Sequence, residues 1–241
     1  MVKLRLYQFL LKTGAFRSKE DIIEAIYSEK IKINNKPIKN PNFRIDPKRK
    51  NVYYNGKIIR PKRRVYFILN KPKGMSCQKN ENNSVYDLIE KIDLDEEIKN
   101  SLFVVGRLDI NTSGLIVITN DGSLATRILD PDKKIKKAYL VNIDKNINES
   151  DIDKLRNGVT IDLDNKKYKT KPTKIKLIKD KELIITISEG KKRQIRKMFN
   201  SLSYEVIELK RISIGNLELE QLKESEIKEV TKEEIYEKIF K

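Results

Sequence analysis

Apolar residues recur along this chain with two different periods. Near the N-terminus Leu4, Tyr7, Leu10 and Leu11 stand three and four apart, the spacing that lines one face of a helix. A second helix is predicted from Ser18, because Ser18 and Asp21 form a Ser-x-x-Asp capping box ahead of Ile22, Ile23 and Ile26. Beyond it the period falls to two. "KIKINNKPI" reads as two strands about an Asn34-Asn35-Lys36 turn. "RKNVYYNGKII" reads as another pair about Asn55-Gly56, a dipeptide that accepts the positive φ of a tight hairpin. Residues 60–64, "RPKRR", break the pattern and read as a linker, either a basic joint or a charged loop.

The remainder mixes both periods. "VYFILNKPKGM" runs from an apolar strand into a Lys-Pro-Lys-Gly turn. "KKAYLVNI", "KTKPTKIKLI", "ELIITISEG" and "EVIELKRISIGNLEL" are predicted to be extended, and 84–99, 122–129, 149–157 and 192–203 helical. No repeat of fixed period and no low-complexity tract appears. The expected fold class is α+β, in three parts: a small αβ domain over 1–60, a basic linker over 61–64 and a strand-rich domain over 65–241.

One stretch stands out. In "GRLDINTSGLIVITNDG", residues 106–122, Leu115 to Thr119 is a short apolar strand bounded by Gly114 and by Asn120-Asp121-Gly122. Arg107 and Asp109 therefore sit at a strand edge beside a turn. An isolated Arg-x-Asp is usually a surface ion pair of little energetic consequence. Asp121, in a strong turn sequence, reads as structural.

Composition limits what such an edge can do. Among 241 residues there is no histidine, which excludes Ser-His and Cys-His nucleophilic pairs, HExxH zinc sites and imidazole relays. Chemistry is left to carboxylates, Tyr, Lys, Arg and hydroxyls. The single cysteine, Cys77, permits no internal disulfide and reads as a structural thiol in a reducing compartment. No apolar stretch approaches the roughly 20 residues that span a bilayer, and the first residues are too polar for a secretory signal, so a cytoplasmic protein without membrane contact is expected. The formal net charge is +17, and residues 1–60 hold 15 of the 52 Lys and Arg but 5 of the 35 Asp and Glu. That asymmetry favours a polyanion, and nucleic acid above others. A lysine-rich surface from compositional bias is the plainer alternative.

Lys12, Arg17, Lys19, Lys30, Lys32 and Lys36 cluster along the two helices and the turn; residues 2–60, with two helices followed by a basic β-turn, resemble the S4-like RNA-binding domain, which makes these cations candidate RNA contacts. "GRLDINTSGLIVITNDG" closely resembles the signature of the RsuA/RluB-type pseudouridine synthases. Three more segments follow in that family's order: Lys71-Pro72-Lys73-Gly74, "KKAYLV" with Tyr139, and "ISEGKKRQIRKMF" with Arg196. Departures are mild: Lys191-Lys192 stands where Arg is frequent, and "SLSYEV" lacks a common Gly.

The resemblance implies a catalytic domain with a central, mostly antiparallel sheet flanked by helices. It implies isomerisation of uridine to pseudouridine in ribosomal RNA, without cofactor or metal, by a monomer. Asp109 would be the nucleophile, attacking either the sugar or the base. Arg107 would fill the space left by the unstacked base. Tyr139 would pack on that base and serve in proton transfer, and Arg196 would pair with Asp109. Lys71 and Lys137 read as RNA-backbone contacts or, for either, as a merely solvated lysine. From helical geometry, Arg193, Arg196, Lys197 and Asn200 share one face of the 193–202 helix, opposite Ile195, Met198, Phe199 and Leu202, so the basic face points away from the core; with the surrounding motif Arg193 and Lys197 read as RNA-facing, a solvated face being the alternative. "GRLDINTSGL" and the segment beyond 210 look more like the RluB branch, which points to large-subunit RNA; small-subunit RNA is the alternative. A non-catalytic RNA-binding or assembly factor on the same scaffold is the rival from another class. With Asp, Tyr and Arg as the working groups, the rate is expected to be nearly flat between pH 6 and 8.

Overall fold

The computed structural model describes residues 4–47 and 49–241 of the chain. They divide into two compact units, one comprising the described residues up to Arg64 with Ile89–Phe103, the other Val65–Leu88 with Val104–Lys241.

The first unit opens with a two-residue strand β1 (Leu4–Arg5), then α1 (Leu6–Thr13) and α2 (Lys19–Tyr27). Ser18 caps α2 as its sequence predicts: the Asp21 amide donates to Ser18 Oγ at 3.0 Å, and the Ser18 amide donates to the Asp21 carboxylate at 2.9 Å. The α1 stripe differs from the predicted one. Leu4 belongs to β1 and Leu11 is exposed, whereas Leu6, Phe9 and Leu10 are buried, because the helix begins at Leu6 and its inner face is set from there. Strand β2 (Ile31–Ile33) pairs with β3 (Lys36–Pro37), β4 (Arg44–Ile45) pairs with β1, and β5 (Val52–Tyr54) pairs with both β2 and β6 (Lys57–Ile59), all antiparallel. Ile31, Ile33, Ile45 and Val52 close the core under the two helices. A short helix from later in the chain, α4 (Glu96–Ser101), belongs to the same unit. The Glu97 carboxylate pairs with the Lys62 ammonium, and the Lys62 amide donates to the Lys12 carbonyl at 2.9 Å.

The second unit contains β7 (Tyr66–Lys71), α3 (Val85–Ile89), β8 (Phe103–Val105), β9 (Ser113–Thr119), α5 (Gly122–Leu129), β10 (Lys137–Ile143) and α6 (Glu149–Asn157). It continues with β11 (Thr160–Leu163), β12 (Lys166–Lys169), β13 (Lys174–Lys179), β14 (Glu182–Ile187), α7 (Gln194–Asn200), β15 (Val206–Ile214), β16 (Leu217–Glu218), β17 (Ile227–Glu229) and α8 (Lys232–Phe240). Its main sheet runs β13-β14-β10-β15-β9-β7-β17, with β16 on β15 and β8 on β9. Six neighbours along or beside that path are antiparallel, and β15 with β9 is parallel. This is the α+β, mostly antiparallel sheet flanked by helices that the sequence suggests.

Burial follows position in the sheet. Every residue of β7, and all of β9 but Ser113, is buried, which is why Tyr66–Leu69 and Leu115–Ile118 read as continuous apolar runs. Strands β10 and β14 alternate between buried and half-buried positions. The Thr119-Asn120-Asp121 sequence after β9 is structural, as its turn chemistry predicts. Thr119 Oγ1 donates to Val65 O at 2.6 Å, Asn120 Oδ1 accepts from the Val65 amide at 3.0 Å, and Asp121 caps α5 while accepting from Tyr66 Oη at 3.0 Å.

Candidate active site

Between β8 and β9 the chain forms a loop, residues 106–112, that carries Arg107 and Asp109. Both side chains are exposed, and neither makes a hydrogen bond or an ion pair among the described residues. The charged pair of the motif is therefore not a salt bridge. What is bonded is the backbone beneath it. The Asp109 carbonyl accepts from the Thr112 amide at 2.9 Å, closing a turn, and the Leu108 amide points to Cys77 Sγ at 3.5 Å. The Ile110 carbonyl accepts from the Gly74 amide at 2.8 Å and from Lys71 Nζ at 3.4 Å.

Two guanidinium groups complete the support. Arg196, on α7, donates to Asn111 O at 2.7 Å and to Val206 O at 2.6 Å. It thus grips the chain two residues beyond Asp109 instead of pairing with the carboxylate. The Asp109 charge still acts on it: burial and the charge of Arg193 push the Arg196 pKa down, while Asp109 and Glu205 pull it up. Arg211, on β15, donates from Nε to Leu115 O at 2.7 Å and from Nη2 to Gly106 O at 3.0 Å. Three cations, Lys71, Arg196 and Arg211, are thereby bound to carbonyls within or at the ends of the stretch 106–115, which holds one carboxylate.

Lys71 corrects the sequence reading, which puts it on the RNA backbone or in solvent. It is fully buried at the end of β7, with its ammonium on Pro72 O at 2.9 Å and on Ile110 O. Burial lowers its pKa, and the charges of Cys77 and Asp109 act against that lowering. A cation at the foot of an apolar strand cannot be told from a surface lysine by pattern. Burial also pushes the Cys77 thiol up from its ordinary range, in keeping with a structural group.

Tyr139 is buried on β10, opposite Arg211 of β15 in the ladder. Directly opposed residues of antiparallel strands project from the same face, so Tyr139 and Arg211 stand side by side. Lys137 is two residues earlier on that face. It is half-buried, with Nζ on Ile135 O at 3.2 Å, and burial, with the Arg211 charge, lowers its pKa to about 8.

The "SEGKKRQIR" segment shows how Arg196 is aimed. The Glu189 carboxylate accepts from Tyr168 Oη at 2.6 Å, from the Lys171 amide at 2.9 Å and from Gln194 Nε2 at 2.7 Å. Burial raises its pKa, but these bonds and the Lys171 charge outweigh burial and hold it below the ordinary value. The start of α7 is fixed by that hub. Ile195, Met198 and Phe199 then face the core, and Arg196 and Lys197 are half-buried on the other side. Lys197 Nζ donates to Asp162 O at 2.7 Å, while Arg193 is exposed at the helix start. In the first unit Arg17, Lys19, Lys30, Lys32 and Lys36 are exposed and Lys12 is half-buried. Among the described residues no group of three His, Cys, Asp or Glu side chains is placed to hold a metal ion.

Sequence reasoning misses Arg211, although a signal is present. In "VIELKRISI" the period of two puts Leu209 and Arg211 on the inward side, so a charge occupies a core position.

Comparison with known proteins bears directly on this arrangement. The RNA pseudouridylate synthase family profile matches residues 65–201. The chain is 32% identical over 234 residues to the uncharacterized RNA pseudouridine synthase YtzG of Bacillus subtilis, covering 94% of this chain and 95% of that one. It is 33% identical over 211 residues to ribosomal small subunit pseudouridine synthase A of Salmonella typhimurium, covering 87% and 89%. A crystal structure of a pseudouridylate synthase superposes with a TM-score of 0.70 at 30% identity, covering 98% of this chain and 99% of the other.

Proposed function

The chain belongs to the RNA pseudouridylate synthase family, and from that membership we propose that it isomerises a uridine of ribosomal RNA, in the cytoplasm, with Asp109 as the nucleophile. The observation that carries this reading is the state of Asp109: an exposed carboxylate without a partner among the described residues, on a loop whose backbone is bonded at nearly every turn. A nucleophile needs a free lone pair and a fixed position, and that loop supplies both.

The reaction breaks the bond from N1 of uracil to the ribose, turns the detached base and joins its C5 to the ribose; the proton leaving C5 is balanced by one gained at N1. Asp109 attacks the sugar or the base to open the sequence. Arg107, exposed beside it, occupies the space of the unstacked nucleotide and contacts phosphate. Tyr139 packs against the base and takes part in proton transfer. Arg196, on the Asn111 carbonyl, keeps the loop in place. The first unit serves as an S4-like RNA grip through Lys12, Arg17, Lys19, Lys30, Lys32 and Lys36. Lys137, Arg193 and Lys197 extend the basic surface near the site.

Large-subunit RNA is the target suggested by "GRLDINTSGL" and the segment beyond 210. The Salmonella relative, named for the small subunit, favours the 16S alternative. Pseudouridine mapping of both RNAs by carbodiimide reactivity, with and without this protein, tests all of it. One uridine that loses its signal without the protein identifies the target. An unchanged map in both subunits refutes a ribosomal target.

A further inference from the structure

We infer that Arg211 is a positioning residue of the active site, holding from inside the sheet the backbone on either side of Asp109, at the start of its loop and in the strand that follows. This rests on the reading of Asp109 as nucleophile. Arg211 is 2% exposed and, among the described residues, has no carboxylate within ion-pair distance. Burying a charge in that state is unfavourable, and a well-packed apolar residue at such a place is commonly as stable or more so. An apolar side chain lacks what the guanidinium has, a planar fork of donors that binds two acceptors in fixed directions. Here the two acceptors are Gly106 O and Leu115 O, one on each side of residues 107–114.

Both ends of the loop need such a clamp. Gly106 and Gly114 have φ of +70° and +105°, conformations of the pliable glycine backbone. At Gly114 a Cβ would fall 2.2 Å from the Arg211 carbonyl oxygen, so β9 enters the sheet in direct backbone contact with the residue whose side chain holds it. Lys71 and Arg196 bond Ile110 and Asn111 in the middle of the loop, and Arg211 bonds Gly106 at its start and Leu115 in the strand that follows it. The same residue stands beside Tyr139 in the ladder, so one side chain registers the tyrosine strand against the aspartate loop.

The test compares Arg211→Lys, which keeps the charge and removes the fork, with Arg211→Met, which removes both. Three quantities are read on ribosomal RNA containing the target: RNA affinity, single-turnover rate at saturating enzyme, and hydrogen exchange of the amides of residues 107–113 against those of β7 and β10. The expected result for Arg211→Lys is affinity within about twofold, a rate lower by about 10- to 100-fold, the scale of an ångström-sized misplacement, and faster exchange confined to the loop. Arg211→Met loses more rate with the same split. A wild-type rate in folded Arg211→Lys overturns the inference, and so does faster exchange spread evenly over β7 and β10, which marks a merely structural arginine. A slower rate without loop loosening refutes the clamp alone. Loop loosening at wild-type rate refutes the placing of the chemistry on this loop.

Discussion

Replacing Lys137 by Met should stabilise the protein at neutral pH and leave that gain to fade as the solution becomes alkaline. Lys137 is half-buried beside the Arg211 charge, and its pKa falls from an ordinary 10.5 to about 8. At about 1.36 kcal/mol for each unit, the ceiling on the cost of keeping it charged is about 3 kcal/mol. Partial exposure screens part of this and leaves about 1–2 kcal/mol. The sign follows from proton counting. Between pH 8 and 10.5 the unfolded chain holds the lysine proton and the native chain has released it, so stability rises with pH across that window. The penalty is fully present below pH 8 and gone above 10.5. Lys137→Met should therefore gain about 1–2 kcal/mol at pH 7, about 2–8 °C in Tm for a chain of this size, and lack the alkaline rise of the wild type. Urea unfolding at pH 7 and 9.5 measures the difference, and carbon NMR of Cε-labelled lysine sees the titration directly. One resonance should titrate near pH 8 and vanish in Lys137→Met. If every lysine titrates above pH 10, or both proteins gain equally between pH 7 and 9.5, the argument from burial fails.

Other consequences are simpler to state. Gly114→Ala should cost about 3 kcal/mol or more, because it joins a φ of +105° to a backbone overlap with Arg211; thermal unfolding close to wild type would show that β9 and β15 part easily. Changing Lys19, Lys30, Lys32 and Lys36 together to Gln should weaken RNA binding and reduce the log-affinity against log-salt slope by about 0.7–0.9 for each phosphate no longer neutralised. An unchanged slope would remove the first unit from RNA recognition. This substitution is a better probe than deleting residues 1–60, since residues 89–103 fold with that unit and would be left without their packing partners.

Much of the fold is legible in the pattern because local chemistry decides it. The Ser18 cap, the Asn55-Gly56 hairpin and the β7 and β9 runs each depend on residues close in sequence, and the structure has them where expected. Differences arise where distant packing decides. The expected helix over 84–99 is two short ones, α3 and α4, and the second belongs to the other unit. The hairpin of β11 and β12 is absent from the sequence reading, although Asp164 and Asn165, with φ of 46° and 64°, are its turn. The exposed members of the candidate site are visible as a motif. Its buried supports are not, because Lys71 and Arg211 look like any other cation until the sheet encloses them.

The central claim is that Asp109 performs the chemistry. Asp109→Asn removes the charge with almost no change of shape and, among the described residues, touches no hydrogen bond of its side chain, so folding and RNA affinity should stay at wild-type values. The decisive measurement is single-turnover pseudouridine formation on ribosomal RNA from cells lacking this protein, with saturating enzyme, wild type against Asp109→Asn. The expected result is complete conversion of one uridine by the wild type and none by the variant. Conversion by Asp109→Asn at a substantial fraction of the wild-type rate would contradict the account and remove Asp109 from its role.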